Sequence, residues 1–170
     1  MDILKAATDW AKAEVFSSTF FILFGVSFIV ATLAFWQWGR TETAKAFVYP
    51  TLVVGILLLI IGFGLFFTNK SRASNFPTSY SEDASYFVES EMIRAEKTLS
   101  EFQLVIFKIV PSIMILASLL IIFVDKPTWR AISITTIAMM VVILMVDYNS
   151  FTRLENYQKQ LELFEKDALK

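Results

Sequence analysis

Two long stretches without a charged residue most constrain what this chain can form. One lies between Glu14 and Arg40 and the other between Lys45 and Lys70, and both are rich in Phe, Leu, Ile and Val. The hydrocarbon core of a bilayer is about 30 Å thick, and a helix needs roughly 20 mainly apolar residues to cross it. Each stretch is long enough by itself, so the sequence predicts two membrane-spanning helices here.

Two further apolar stretches each carry a single charge. The stretch from Phe102 to Val124 contains Lys108, and the stretch from Ala131 to Thr152 contains Asp147. We expect both charges near a membrane face, where a lysine can reach the headgroups. A cleaved signal peptide is disfavoured for the first stretch, because a signal has a shorter apolar region after a basic segment. The predicted fold class is an all-α membrane protein with four transmembrane helices arranged as two hairpins.

The residue inventory excludes several kinds of function. The chain has 170 residues, 56% of them hydrophobic, and it contains no Cys and no His. Disulfide scaffolds, thiolate or imidazole metal sites and Ser-His catalysis are therefore excluded. A net charge of −1 offers no basic surface, so we expect no nucleic-acid partner. We also expect no cofactor and no metal, and an enzyme is the least favoured class of function.

Lysine and arginine residues predict the orientation. Most of them lie in the N-terminal segment, in the segment between the second and third spans, and in the C-terminal tail, whereas the other two loops hold only Arg40, Lys45, Lys126 and Arg130. Because cytoplasmic loops are enriched in these residues, we expect both termini in the cytoplasm. The predicted location is a bacterial inner membrane or another plasma membrane, with membrane lipids as the immediate partners.

The predicted organisation has six segments. They are an amphipathic N-terminal helix (1–14), a transmembrane hairpin (15–69), a linker (70–81), a cytoplasmic helix (82–103), a second transmembrane hairpin (104–149) and a cytoplasmic helix (150–170). The linker is serine-rich and contains a proline, and Ser81 is the expected N-cap of the next helix. Whether the N-terminal helix lies on the membrane or packs against the second hairpin stays open.

Apolar residues recur every three or four positions before the third span and after the fourth. The expected cytoplasmic seam consists of Val88, Met92, Leu99, Phe102, Phe151, Leu154, Leu161 and Phe164. In an antiparallel hairpin, residues whose numbers add to about 253 face each other, so Leu99 should meet Leu154. In the same register Glu101 lies near Arg153. Two helices lying flat on the membrane are the alternative, but the acidic character of 82–101 disfavours them.

Three residues are candidates for intramembrane function. The hairpin register brings Lys108 and Asp147 close together, as an ion pair, as part of an ion or proton relay, or as two residues reaching separately to the headgroups. Pro111 removes a backbone hydrogen bond inside a span, which indicates a hinge or a fixed bend. Further hydroxyls in the fourth span either line a polar path or bond to their own helix; they are Ser133, Thr135 and Thr136.

Small residues in the first two spans predict a packing face. They would let helices approach closely, within one chain or between copies. The candidate face comprises Gly25, Ser27, Ala31, Thr51, Gly55 and Gly62.

The expected function is that of a non-enzymatic membrane scaffold or accessory subunit, because helices and packing faces are present and reactive groups are scarce. It would be a homo-oligomer or bind a partner membrane protein, and the cytoplasmic hairpin would be its docking element. The alternative is a small ion channel or ion-flux protein with Lys108 and Asp147 near the inner mouth.

Overall fold

The computed structural model describes residues 2–168, which form helices and connecting turns with no strand among them. The helices are α1 (Ile3–Trp38), α2 (Glu42–Ala46), α3 (Val48–Glu82), α4 (Ala84–Leu104), α5 (Val110–Phe123) and α6 (Pro127–Ala168), and a π-helical segment (Val105–Ile109) joins α4 to α5. Four helical stretches are long and apolar enough to cross a membrane: Ile3–Trp38, Glu42–Glu82, Ala84–Phe123 and Pro127–Lys166. The predicted all-helical fold with four long apolar helices is therefore confirmed.

The segment 70–81 is helical, where the sequence predicted a linker. Helix α3 continues to Glu82 and includes Pro77. Its last turns are held by Phe76, which is buried and packs edge-on against the Phe87 ring at 5.4 Å between centroids. Such tertiary packing stabilises a helix whose residues have low intrinsic helix propensity.

Helix α4 begins after Asp83 and not after the expected cap, Ser81. The Asp83 carboxylate accepts a hydrogen bond from the backbone N–H of Tyr86 at 2.9 Å and thereby caps α4. The Ser81 hydroxyl instead donates to the carbonyl of Thr78, inside the last turn of α3.

Helices α1 and α3 pack against each other in antiparallel directions, with small residues between them. The Gly25 position faces Leu59, Gly55 faces Ile29, and Gly62 faces Ile22. Thr51 accepts a buried hydrogen bond from the Thr32 hydroxyl at 2.9 Å in the same interface. Four of the six residues of the candidate packing face are therefore buried between these helices. Ala31 is half-buried, whereas Ser27 is exposed and donates to its own helix at Leu23.

Gly62→Ala should destabilise the protein, because its new Cβ would lie 2.7 Å from Ile22 Cγ1 and 2.9 Å from the Ile22 backbone nitrogen. Backbone cannot move aside as a side-chain end does, so we expect a loss of about 1–3 kcal/mol in unfolding free energy. Gly64→Ala is the matched control, since nothing lies within 4 Å of its Cβ. Unfolding in mixed detergent micelles measures both. Equal stabilities for the two variants would contradict the observed α1–α3 packing.

Helix α6 is the central helix, and α5 is peripheral. Helix α6 contacts every other α-helix of the described chain, whereas α5 contacts only α6 and the π-helical segment. A hydrophobic core joins α1, α3 and α6, and we call it the inner core; its buried residues are Phe21, Val54, Leu58, Val142 and Val146. The π-helical segment ends two residues before Pro111, the candidate hinge.

A second core, the distal core, joins the first turns of α1 and α4 to the last turns of α3 and α6. The N-terminal segment belongs to it, because Ile3, Ala7 and Trp10 are buried there, and α1 runs through residue 14 without a break. All eight residues of the predicted cytoplasmic seam also lie in this core. Val88, Leu99, Leu154 and Leu161 are buried, and Met92, Phe102, Phe151 and Phe164 pack against them.

Candidate functional site

Polar side chains surround a cavity between the inner and distal cores. The cavity has a volume of about 230 Å³ and is bounded by α1, α3, α4 and α6. Its apolar wall includes Phe21 of the inner core and Phe102 beside the distal core, which places it at the junction. We call it the polar chamber. Its polar lining consists of Glu14, Ser17, Ser18, Asn69, Asp147 and Ser150.

An ion pair between α1 and α6 closes one side of the polar chamber. The Arg153 guanidinium donates to Glu14 Oε1 from Nε at 3.1 Å and from Nη2 at 3.0 Å. Arg153 Nη2 also donates to the hydroxyls of Ser17 and Ser150, at 2.6 and 3.0 Å. The Glu14 side chain is only 11% exposed. The Arg153 guanidinium therefore supplies hydrogen-bond donors to a nearly buried carboxylate and connects α6 to α1.

This pairing differs from the one that the sequence register suggested. Arg153 was expected beside Glu101, which is exposed in the structure. The hairpin register considered only α4 against α6, whereas α1 also lies against α6 at this level. A partly buried carboxylate on α1 is a better partner for Arg153 than a solvated carboxylate, because it gains more from the charge.

The candidate ion pair of Lys108 and Asp147 is not formed within the described residues. Lys108 is exposed and lines a surface groove with Leu104 and Phe107. Asp147 is half-buried and lines the polar chamber, which is separate from that groove. Lys108 lies in the π-helical segment, whose wider turn shifts the direction of the side chains relative to a regular α-helix.

A second polar network lies inside the distal core. Glu91 is 6% exposed, accepts a hydrogen bond from Arg94 Nε at 2.8 Å and another from the Tyr157 hydroxyl at 3.1 Å. The Trp10 ring stacks on the Tyr157 ring at 5.3 Å between centroids, and the Arg94 guanidinium lies 4.4 Å from the Trp10 ring. The network joins α1, α4 and α6.

Burial shifts the pKa of two groups in and near this network, Tyr157 and Arg72. It raises the pKa of the Tyr157 hydroxyl, and the neighbouring Glu91 charge raises it further. Tyr157 therefore stays protonated and can donate to Glu91. Burial also lowers the pKa of Arg72, and the positive charge of Arg94 adds to that effect.

Sequence reasoning did not identify Glu14, Arg153 or the Trp10–Tyr157 stack as parts of sites. One signal was available, since Glu14 and Arg153 are the charges that end the first and fourth apolar stretches on the same predicted side. The candidate pore hydroxyls do not line the polar chamber. Thr135 donates to the carbonyl of Ala131, and Ser133 is buried with no partner for its hydroxyl among the residues that the structure describes.

The chemistry available in the polar chamber is that of hydrogen bonding and proton or ion binding. It holds two carboxylates, three serine hydroxyls and one amide, with the Arg153 guanidinium at its edge. No group of three His, Cys, Asp or Glu suitable for a metal ion occurs in the described part of the chain. Comparison with protein-family models, curated proteins and solved structures gives no match for this chain.

Proposed function

We propose that this chain is a non-enzymatic, multi-pass membrane protein that serves as an oligomeric scaffold or accessory subunit. Its four apolar helices would form two transmembrane hairpins, with both termini and the distal core in the cytoplasm. One observation supports the topology of this proposal: all four apolar stretches continue into helical turns that contribute to the same distal core. That arrangement agrees with the distribution of Lys and Arg, which favours the same side for these segments.

The exposed surface of the apolar segments supports the membrane placement. Large apolar side chains point outward along them, and among them Ile60 is 63%, Ile122 71% and Phe123 79% exposed. Soluble monomers rarely expose contiguous apolar surface on this scale, whereas lipid is its natural solvent.

We place the docking surface on the outer side of the distal core and not at the seam. The first turns of α1 pack on most of the seam, and a narrow groove between α4 and α6, lined by Leu99 and Phe151, stays open to solvent. Two large apolar side chains remain exposed on the outer face of α4, at Tyr86 (70%) and Ile93 (62%). They are seven residues apart, which places them on one side of the helix. We propose that this face contacts a second copy of the chain.

Single cysteines test the topology and the contact cleanly, because the natural chain has none. In sealed inverted and right-side-out vesicles, we expect an impermeant maleimide to label Glu89→Cys and Lys126→Cys from opposite sides. Ile93→Cys should form a disulfide-linked dimer, whereas Ile60→Cys, on the apolar surface away from this face, should not. Labelling of both positions from one side, or a strict monomer in native-like membranes, would defeat the proposal.

Ion flux is a second candidate, and the polar chamber is the observation that favours it. The chamber places the Asp147 carboxylate among hydroxyls at the junction of the two cores. In proteoliposomes, a flux driven by a proton or cation gradient should fall strongly in Asp147→Asn. Lys108→Ala is the control, since Lys108 lies in a separate groove. The candidate fails if there is no flux, or if Asp147→Asn conducts like the natural chain.

A further inference from the structure

A large open cleft separates α3 from α6 at the end of the protein opposite the distal core. The two helices meet in the inner core through Val54 and Val142, and they diverge from there towards α2 and the start of α6. The cleft has a volume of about 760 Å³. Helix α5 lies on α6 and does not contact α2 or α3, so no described helix fills the gap.

The length of the cleft matches one leaflet of a bilayer, an inference that rests on the membrane placement proposed above. One wall runs along α6 from Pro127 to Thr136. At 1.5 Å per residue this is about 14 Å. The hydrocarbon core is about 30 Å thick, so the cleft extends from the interface to near the midplane.

The chemistry of the cleft changes along this length. The walls carry apolar side chains, including Val53 and Ile132, which are 54% and 37% exposed. At the deep end, the Thr135 hydroxyl donates to a backbone carbonyl of its own helix. The rim carries the Lys45 ammonium and the Glu42 carboxylate, which form an ion pair at 3.9 Å with side chains 61% and 88% exposed. Such an exposed pair is weak, so the ammonium can turn to a phosphate. An apolar slot below a cation is complementary to an acyl chain attached to a phosphate.

The apolar walls and the charged rim of the cleft favour a phospholipid as its occupant. A flexible acyl chain can follow the slot and restore the contacts that an empty gap would lose. We propose that the cleft binds one phospholipid from the leaflet opposite the distal core, with an acyl chain between α3 and α6 and the phosphate at Lys45.

Native mass spectrometry from nanodiscs of phosphatidylglycerol, phosphatidylethanolamine and a fraction of diacylglycerol tests this site. The natural chain should retain one phospholipid. Val53→Trp should lose it, because the indole would fill the slot from an exposed position. Ile60→Trp, seven residues further along α3 and outside the cleft, is the matched control and should retain the lipid. Lys45→Ala should weaken retention of phospholipid but not of diacylglycerol, which lacks the phosphate.

Three results would overturn the proposal. They are equal lipid retention by Val53→Trp and the natural chain, equal weakening of phospholipid and diacylglycerol by Lys45→Ala, and a change of oligomeric state in Val53→Trp, which would identify the cleft as a protein interface. Alkaline extraction of membranes shows whether a negative result concerns only the lipid site or also the proposed membrane placement. A chain released from membranes defeats the membrane proposal itself, whereas a chain that stays in the membrane without a bound lipid overturns only the site.

Discussion

Arg153→Leu should lower the free energy of unfolding by roughly 3 kcal/mol, because it leaves Glu14 nearly buried without its partner. The expected loss is at the lower end of the range for buried pairs, since Arg153 itself is 32% exposed. The substitution also removes the donors to Ser17 and Ser150. Reversible unfolding in mixed micelles of a mild and a denaturing detergent measures the change.

Two further variants distinguish this ion pair from surface charge. Lys159→Ala removes an exposed pair with Glu155 on α6 and should cost at most about 1 kcal/mol. The double variant Glu14→Leu with Arg153→Leu should recover much of the lost stability, because it no longer leaves an unpaired charge. Additive losses in the double variant would show that Arg153 does not act through Glu14.

Trp10→Ala should cost about 3–5 kcal/mol, the usual range for removing a large buried aromatic side chain. Trp10 is 8% exposed and contacts both the Tyr157 ring and the Arg94 guanidinium, so its loss opens a gap in the distal core. The same detergent titration measures the loss, and the near-ultraviolet circular dichroism signal of the stacked rings should weaken with it.

Trp38→Ala is the matched control for this prediction. Trp38 ends the same helix but is 74% exposed, so we expect a change within about 0.5 kcal/mol. If the first turns of α1 lay on the membrane surface instead of in the distal core, Trp10→Ala would be as mild as Trp38→Ala. That result would contradict the packing of α1 against α4 and α6.

The sequence indicated the long helices well because their signals are local. A helix that crosses lipid must be apolar over its whole length, and a packed helix repeats apolar residues every three or four positions. The seam residues Leu99 and Leu154 were identified from that repeat, and both lie in the distal core. The segment 70–81 is predicted as a linker because its own residues have low helix propensity. It is helical because Phe76 packs on Phe87 of the next helix, and the composition of 70–81 gives no sign of that contact.

The polar chamber could not be predicted from the same signals, since its residues come from four different helices. Glu14 and Arg153 are separated by 139 positions in the chain. Their positions at the ends of two apolar stretches place them on the same predicted side but do not identify them as partners. Lys108 and Asp147 were paired on the assumption of a regular helix, and the π-helical segment before Pro111 changes the direction of Lys108. One π-helical turn therefore changes which residues of two adjacent helices face each other.

The amino-acid sequence alone was sufficient for the helical class, the four apolar stretches and the apolar faces, because length, hydropathy and periodicity act within one helix at a time. Only the three-dimensional packing decided that α6 is central, that α1 packs on the seam, and that Arg153 binds Glu14. Those choices depend on which helices become neighbours, and the free energy of that arrangement is shared among contacts far apart in the chain.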